Sequence, residues 1–284
     1  MERKKIKIGQ VFIHIIIIAM LIMVLLPFYI LIINSFKATK DIILNPFAIP
    51  GTAEAPLNPQ LIAGSYQAAW GYIQKYLFNT LFIAISEVVG VVLLSSMAAY
   101  GFTRFTFKGK ELLFTVFLGF MMIPGILTLA SQYQLVYTTL NLKEKHWGVI
   151  LPAVAGGMPV NIFLIKTFFA GVPESLFEAA EIDGASHMRR YVTFALPLSM
   201  PILFTVGLAT LMGAWNDVIW VRLILGQRED LYTIALGVFE VLKTQKIETI
   251  TYAGYVLASL PLVIAFSLTS KQFIKGLTNG AIKM

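Results

Sequence analysis

Few side chains in this sequence are equipped for chemistry, and they form two sets. The first lies in or beside long apolar runs: Glu87, Asn161, Asn216 and Asp217. A carboxylate held in a bilayer costs on the order of 3 kcal/mol unless it pairs, faces water or is protonated. For Glu87, a bond to a neighbouring helix or subunit and a place on a solute path are equally open. Asn161, Asn216 and Asp217 can hydrogen-bond a polar solute, and the four together favour passage of a polar molecule. The second set is a polar break between two apolar runs, Glu178-Ala179-Ala180-Glu181-Ile182-Asp183-Gly184, followed by Leu196-Pro197. Its chemistry is that of docking: carboxylates on a short helix, beside small side chains, can meet a basic groove on another protein.

Bond-making chemistry finds no support. There is no Gly-x-x-x-x-Gly-Lys-Ser/Thr phosphate loop, no His-Glu-x-x-His pair and no nucleophile elbow. The three histidines, His14, His146 and His187, fall at separate depths, and the absence of cysteine excludes disulfides and thiolate metal sites. No catalytic residue, metal site or cofactor is expected in this chain, so any energy used must come from another one.

The elements that position these residues are apolar helices. Hydrophobic residues make up 57% of the 284, charged residues only 13%, and mean hydropathy is high, far from a soluble domain. Val11–Ile33 is long enough to cross a bilayer, since about 20 apolar residues suffice. Five more runs follow, at about 77–99, 112–134, 147–169, 198–215 and 252–270. The expected architecture is therefore an all-α integral membrane protein, one domain over 1–284 with six transmembrane helices. The first run exceeds the apolar core of a signal peptide and lacks a cleavage pattern, so it reads as a retained helix.

Basic residues near the span ends set the orientation. With the N-terminus inside, the cytoplasm receives Arg3, Lys4, Lys5, Lys7, Arg104, Lys108, Lys110, Lys166, Arg189, Arg190, Lys271, Lys275 and Lys283, which is 13 of the 22 Lys and Arg. Both termini and the 170–197 loop are then cytoplasmic. The same bias explains the net charge of +7 without invoking nucleic acid.

Outside the spans, 65–76 reads as an amphipathic surface helix with Trp70, Tyr72 and Tyr76 at interfacial depth. Residues 231–239 read as a short surface helix or a solvated loop. Pro27, Pro124-Gly125, Pro152, Gly156-Gly157, Pro159 and Pro261 disturb the spans. Span four reads as the most interrupted, its small residues serving either close helix packing or a translocation path.

In the polar break, Pro173 and Glu174 suit a helix start, and Gly184 suits the left-handed residue that ends it. Leu176, Ala179, Ala180 and Asp183 share one face, where the alanines form a low ridge. Glu178 lies beside them, and a second short helix over 186–193 leads to Leu196-Pro197. Glu178, Ala179, Ala180, Gly184, Leu196 and Pro197 resemble the EAA loop, Glu-Ala-Ala-x3-Gly-x9-Ile-x-Leu-Pro, of permease subunits in bacterial ABC importers, with Phe194 in place of isoleucine. Ala98–Phe105, Trp215-Asn216-Asp217 and the tail Phe273–Lys283 resemble the MalG-like subunits of the maltose-type carbohydrate branch.

The resemblance implies a type I ABC importer permease (MetI-like) fold in the bacterial cytoplasmic membrane. It implies a second homologous permease subunit, two ATPase subunits that bind ATP and Mg, an extracytoplasmic sugar-binding protein and a carbohydrate cargo. Residues at about 174–185 would be the coupling helix, with Asp183 on its docking face, and the C-terminal tail would approach the ATPase interface. The competing reading is an ion-coupled carrier or channel for a small polar solute, with Glu87 as its coupling carboxylate.

Overall fold

A backbone in lipid must satisfy its own N–H and C=O groups, so apolar runs fold as helices. The computed structural model describes residues 8–240 and 248–281, and among these residues no strand forms. Arg3, Lys4, Lys5, Lys7 and Lys283, used to orient the chain, lie outside the described residues.

The helices run in order as α1 (Ile8–Asn34), α2 (Thr39–Leu44), α3 (Pro59–Arg104), α4 (Lys110–Met121), α5 (Gly125–Gln134) and α6 (His146–Phe169). They continue as α7 (Glu174–Ile182), α8 (His187–Arg190), α9 (Leu196–Leu198), α10 (Met200–Asn216), α11 (Ile219–Leu225), α12 (Ile234–Glu240) and α13 (Glu248–Ala281). Among the described residues, α1, α3, α6 and α13 are each long and apolar enough to cross a membrane, and two bent helix pairs bring the total to six spans if each pair is one crossing.

The bends are not where span four's prolines put them. α6 runs unbroken through Pro152 and Pro159, and α1 and α13 run through Pro27 and Pro261. A single proline removes one ladder bond, which neighbouring turns and packed helices tolerate. The sharp breaks fall in spans three and five. Residues 110–121 and 125–139 meet at 98° across Pro124, whose ring also pushes the preceding residue out of helical geometry. Residues 187–198 and 200–216 meet at 77° at Ser199, where Pro201 cannot donate to the carbonyl of Pro197.

The chain divides into two compact units, 1–74 with 238–260 and 75–237 with 261–284. In the first unit, residues 9–29 of α1 are exposed on every side, as suits a helix meant for lipid or another chain. Asn58 caps α3, its Oδ1 accepting the Leu61 N–H at 3.1 Å, with Pro59 in the first turn. Tyr66 bonds Ser35 at 2.8 Å, and its ring is tilted against that of Phe36 with centres 5.9 Å apart. Lys37 is buried and donates to the carbonyls of Asn45 and Pro46, both at 3.0 Å; burial lowers its pKa, and nearby Asp41 partly opposes that.

The expected surface helix at 65–76 is instead part of α3, a single helix of 46 residues with no break before Leu77. The amphipathic stretch and span two share a helical period, and no proline or glycine pair separates them.

The second unit corrects the reading of 231–239. Tyr232, Thr233, Ile234 and Leu236 are buried rather than lying on a surface. Asn79 of α3 donates to the carbonyls of Asp230 and Tyr232 at 2.8 and 3.0 Å, and Thr80 Oγ1 accepts the Ile234 N–H at 2.7 Å. Two side chains of α3 thus satisfy the irregular backbone that enters α12. Gly237 is there because Tyr76 leaves no room: a Cβ would collide with its buried ring. Gly237→Ala is expected to lower the melting temperature of the detergent-solubilised complex, because overpacking costs about 1–3 kcal/mol and outweighs the helix-propensity gain of about 1 kcal/mol. An unchanged thermal transition would contradict this packing.

Candidate functional site

The polar break after α6 is built as a capped rigid unit. Pro173 precedes α7 in extended geometry, and Glu174 occupies the first turn, where the helix dipole favours a carboxylate. At the other end Gly184 takes φ of 76°. Its N–H donates to Glu181 O, and the Ala185 N–H donates to Ala180 O, both at 2.9 Å. This is the Schellman pair, and the expected glycine stop holds. Ser186 then caps α8, its Oγ accepting the Arg189 N–H at 3.3 Å. A π-type turn over Tyr191–Ala195 and α9 follow.

Burial divides the faces of α7 differently from the sequence pattern. Ala180 is buried with Phe177 on the inner side, so the ridge of two alanines is not presented whole. Ala179, Glu178, Leu176 and Asp183 are exposed, and Ile182 is 87% exposed. Period alone placed Ala180 outside, because nothing in the local sequence told which neighbour Phe177 would seek. That neighbour is an aromatic cluster: Phe177 lies 6.4 Å from Tyr100 and 6.3 Å from Phe194, and Tyr100 lies 5.3 Å from Tyr191 and 6.4 Å from Phe169. Tyr191 also shares a 2.7 Å hydrogen bond with Ser96 of α3.

Two arginines complete the seat. Arg104, the last residue of α3, donates from Nη2 to Val172 O at 3.1 Å and to Phe169 O at 3.4 Å. Its guanidinium lies 3.8 Å from the centre of the Phe177 ring, and its Nη1 is 3.7 Å from Glu174. The Glu174 pair adds less than about 1 kcal/mol because that carboxylate is exposed. The carbonyl bond from a charged donor, at about 1.5–3 kcal/mol, and the ring contact, up to about 2, dominate. Arg190, buried, donates to Glu181 at 2.6 Å. Glu174 and Glu181 are therefore engaged within the chain, whereas no ion pair or side-chain hydrogen bond engages Glu178 or Asp183 among the described residues. Arg104 and Arg190 were legible in the sequence as positive-inside charge, Arg104 also within the Ala98–Phe105 resemblance, but neither as part of a seat for α7, and Phe177 carried no recognisable signal.

Leu196 and Pro197 continue the same chain segment. Leu196 helps line an open apolar groove of about 610 Å³ between α3, α10 and α13, while Pro197 is exposed.

Of the four polar residues of the spans, no two are joined by a hydrogen bond or ion pair among the described residues. Glu87 is buried on α3 with no hydrogen bond or ion pair among the described residues. Asp217 follows α10 and accepts the Trp220 N–H at 3.0 Å, which starts α11. Asn216 donates to Met212 O at 2.8 Å and Asn161 to Gly157 O at 2.9 Å, each within its own helix. Span four packs against α3 at Gly157, where a Cβ would meet Val91 at 3.3 Å, and at Val154, which a Cβ on Gly90 of α3 would meet at 2.8 Å. Gly156 faces open space. Among the described residues, no group of three or more His, Asp or Glu could hold a metal ion.

Residues 90–278 match the family described as binding-protein-dependent transport system inner membrane component. The chain is 33% identical to the maltodextrin transport system permease protein MdxG of Bacillus subtilis (strain 168), over 72% of this chain and 74% of that one. It is 29% identical to the probable ABC transporter permease protein YurM of the same organism, over 99% and 91%. In fold it matches, with a TM-score of 0.76 at 18% identity, a chain from the crystal structure of a bacterial ABC transporter involved in import of the acidic polysaccharide alginate, covering 96% of this chain and 99% of that one.

Proposed function

We propose that this chain, which belongs to the family of binding-protein-dependent transport system inner membrane components, is a permease subunit of an ATP-driven importer whose cargo is a carbohydrate. The family sets the ion-coupled carrier aside. The observation that carries the mechanistic reading is α7: a short helix with a Schellman stop, fixed to α3 on one side and presenting Glu178, Ala179, Ile182 and Asp183 on the other. The relative named for maltodextrin transport supports the cargo class.

In this reading the chain pairs with a second homologous permease. Two ATPase subunits, which bind ATP and Mg themselves, receive one α7 from each permease, and an extracytoplasmic binding protein delivers the sugar. Glu178, Ala179, Asp183 and Gly184 form the docking end, Ala180 seats it on the permease, and Leu196-Pro197 joins it to α10. A rigid helix held in a cleft converts ATPase closure into movement of the spans to which it is fixed, a rigid-body switch. Glu87, Asn161, Asn216 and Asp217 are the proposed polar lining of the path. Hydroxyl-rich cargo suits such groups, which offer acceptors and donors without requiring a charged ligand.

Reconstitution of the full complex with its binding protein tests this across mono-, di- and oligosaccharides and glycerol phosphate. At least one carbohydrate is expected to raise ATP hydrolysis several-fold. No response to any of them, from a complex that still co-purifies with its ATPases, would overturn the cargo class. ATP-independent solute flux through this chain alone would overturn the importer itself.

A further inference from the structure

We propose that Arg104 is the positioning residue that makes α7 and the inner end of α3 one mechanical body, so that force on α7 reaches the long helix carrying Glu87. The inference rests on the importer reading above and adds the route of transmission within the permease.

Tyr100 and Arg104 are four residues apart on α3 and so share a face one turn apart. Together they form a ledge. Tyr100 supports the rings of Phe169, Phe177 and Tyr191. Arg104 closes over Phe177 at 3.8 Å and holds the linker before α7 by its carbonyls at Phe169 and Val172. Three parts of the chain, the end of α6, the linker and α7, are thereby fixed to the last turn of α3. Glu87 lies 17 positions earlier on the same helix, about 25 Å away at 1.5 Å per residue.

Stability alone does not account for an arginine here. Arg104 Nε is buried without an acceptor, and an apolar side chain could cover Phe177 while leaving no donor unpaired. What a guanidinium adds is direction: its Nη2 meets two carbonyls while its planar face rests on a ring, and a lysine ammonium has no plane to lay on that ring. The second arginine is placed differently. Arg190 ties Glu181 to α8, so it preserves the shape of the module rather than its attachment to α3.

The absence of cysteine allows a direct test, with spin labels at Met97→Cys on α3 and Ser175→Cys on α7, both exposed positions. In the assembled complex the label-to-label distance is expected to be the same without nucleotide and with ATP trapped by vanadate, because the two helices move together. With Arg104→Ala or Arg104→Lys added, that distance is expected to shift by about 5 Å or more on ATP trapping, and ATP hydrolysis stimulated by the loaded binding protein to fall at least fivefold. A distance that stays fixed in both variants overturns the proposal, as does one that already changes in the unsubstituted complex. Loss of the complex in both variants also overturns it, since Arg104 would then be a folding residue. If the unsubstituted chain does not bind its ATPases, the importer reading fails instead.

Discussion

Gly184→Pro is expected to lower binding-protein-stimulated ATP hydrolysis by at least tenfold, while the chain still inserts and still pairs with its partner permease. Gly184 sits at φ of 76°, whereas proline is fixed near −65°. The substitution therefore reverses the chain direction at the stop of α7. It also deletes the N–H that bonds Glu181 O and disrupts the neighbouring bond from Ala185 to Ala180 O. Glu181 then loses register with Arg190, and the exposed side of α7 turns away from the direction in which Ile182 now projects. The damage is confined to the module, because no atom lies within 4 Å of where a Gly184 Cβ would be. Gly184→Ala should have an intermediate effect, since a left-handed alanine costs only about 1–2 kcal/mol. Glu178→Lys provides the complementary perturbation: it leaves the backbone intact and reverses a charge with no partner among the described residues, so a loss of stimulated hydrolysis would report a contact made outside the chain. Steady-state ATP hydrolysis in vesicles, with and without loaded binding protein, reads all three. Wild-type stimulation in both Gly184→Pro and Glu178→Lys would remove α7 from the coupling route.

The same loop shows which physical facts are local enough to be read in a sequence. The left-handed requirement at Gly184 and the helix start at Pro173-Glu174 are properties of one or two residues, and both appear in the fold as expected. The apolar runs are equally legible, because crossing a bilayer demands length and composition rather than particular neighbours. What the pattern could not supply is the identity of a facing surface. Ala180 and Ala179 are equivalent in type, yet only Ala180 turns inward, because Phe177 one turn earlier finds Tyr100 across 77 positions of chain. Asn79 and Thr80, polar residues at the start of a span, were likewise not singled out by the sequence. Their function, satisfying the backbone that enters α12, became visible only when residues 151 to 154 positions away lay beside them. Proline was misleading for a related reason. Its missing N–H is local, but whether the helix bends depends on what surrounds it, so Pro152 and Pro159 pass unnoticed while Pro124 breaks its span.

Two glycines of α6 turn that distinction into an experiment with opposite signs. Gly156 stood out in the sequence because it adjoins Gly157, yet a Cβ there meets nothing within 4 Å. Gly148 stood out in no way, and it is the tight position. A Cβ would strike the carbonyl oxygen of Leu142, a backbone atom that cannot swing aside, and would lie 2.8 Å from Ile224 Cγ2. The junction is held on several sides. The Trp220 indole donates to Gly148 O at 3.2 Å, and the Glu144 N–H donates to Ile224 O at 2.9 Å. Relief by movement would therefore break hydrogen bonds that tie α6 and the loop before it to α11, which apolar surroundings do not replace. Gly148→Ala is expected to destabilise by about 3 kcal/mol, at the upper end of overpacking costs. Gly156→Ala is expected to stabilise by up to about 1 kcal/mol, because alanine is the better helix former and its methyl group has room. Thermal unfolding of the detergent-solubilised complex should then rank Gly156→Ala at or above the unsubstituted protein and Gly148→Ala well below it. Equal melting of the two variants would mean that α6 and α11 are not packed as described.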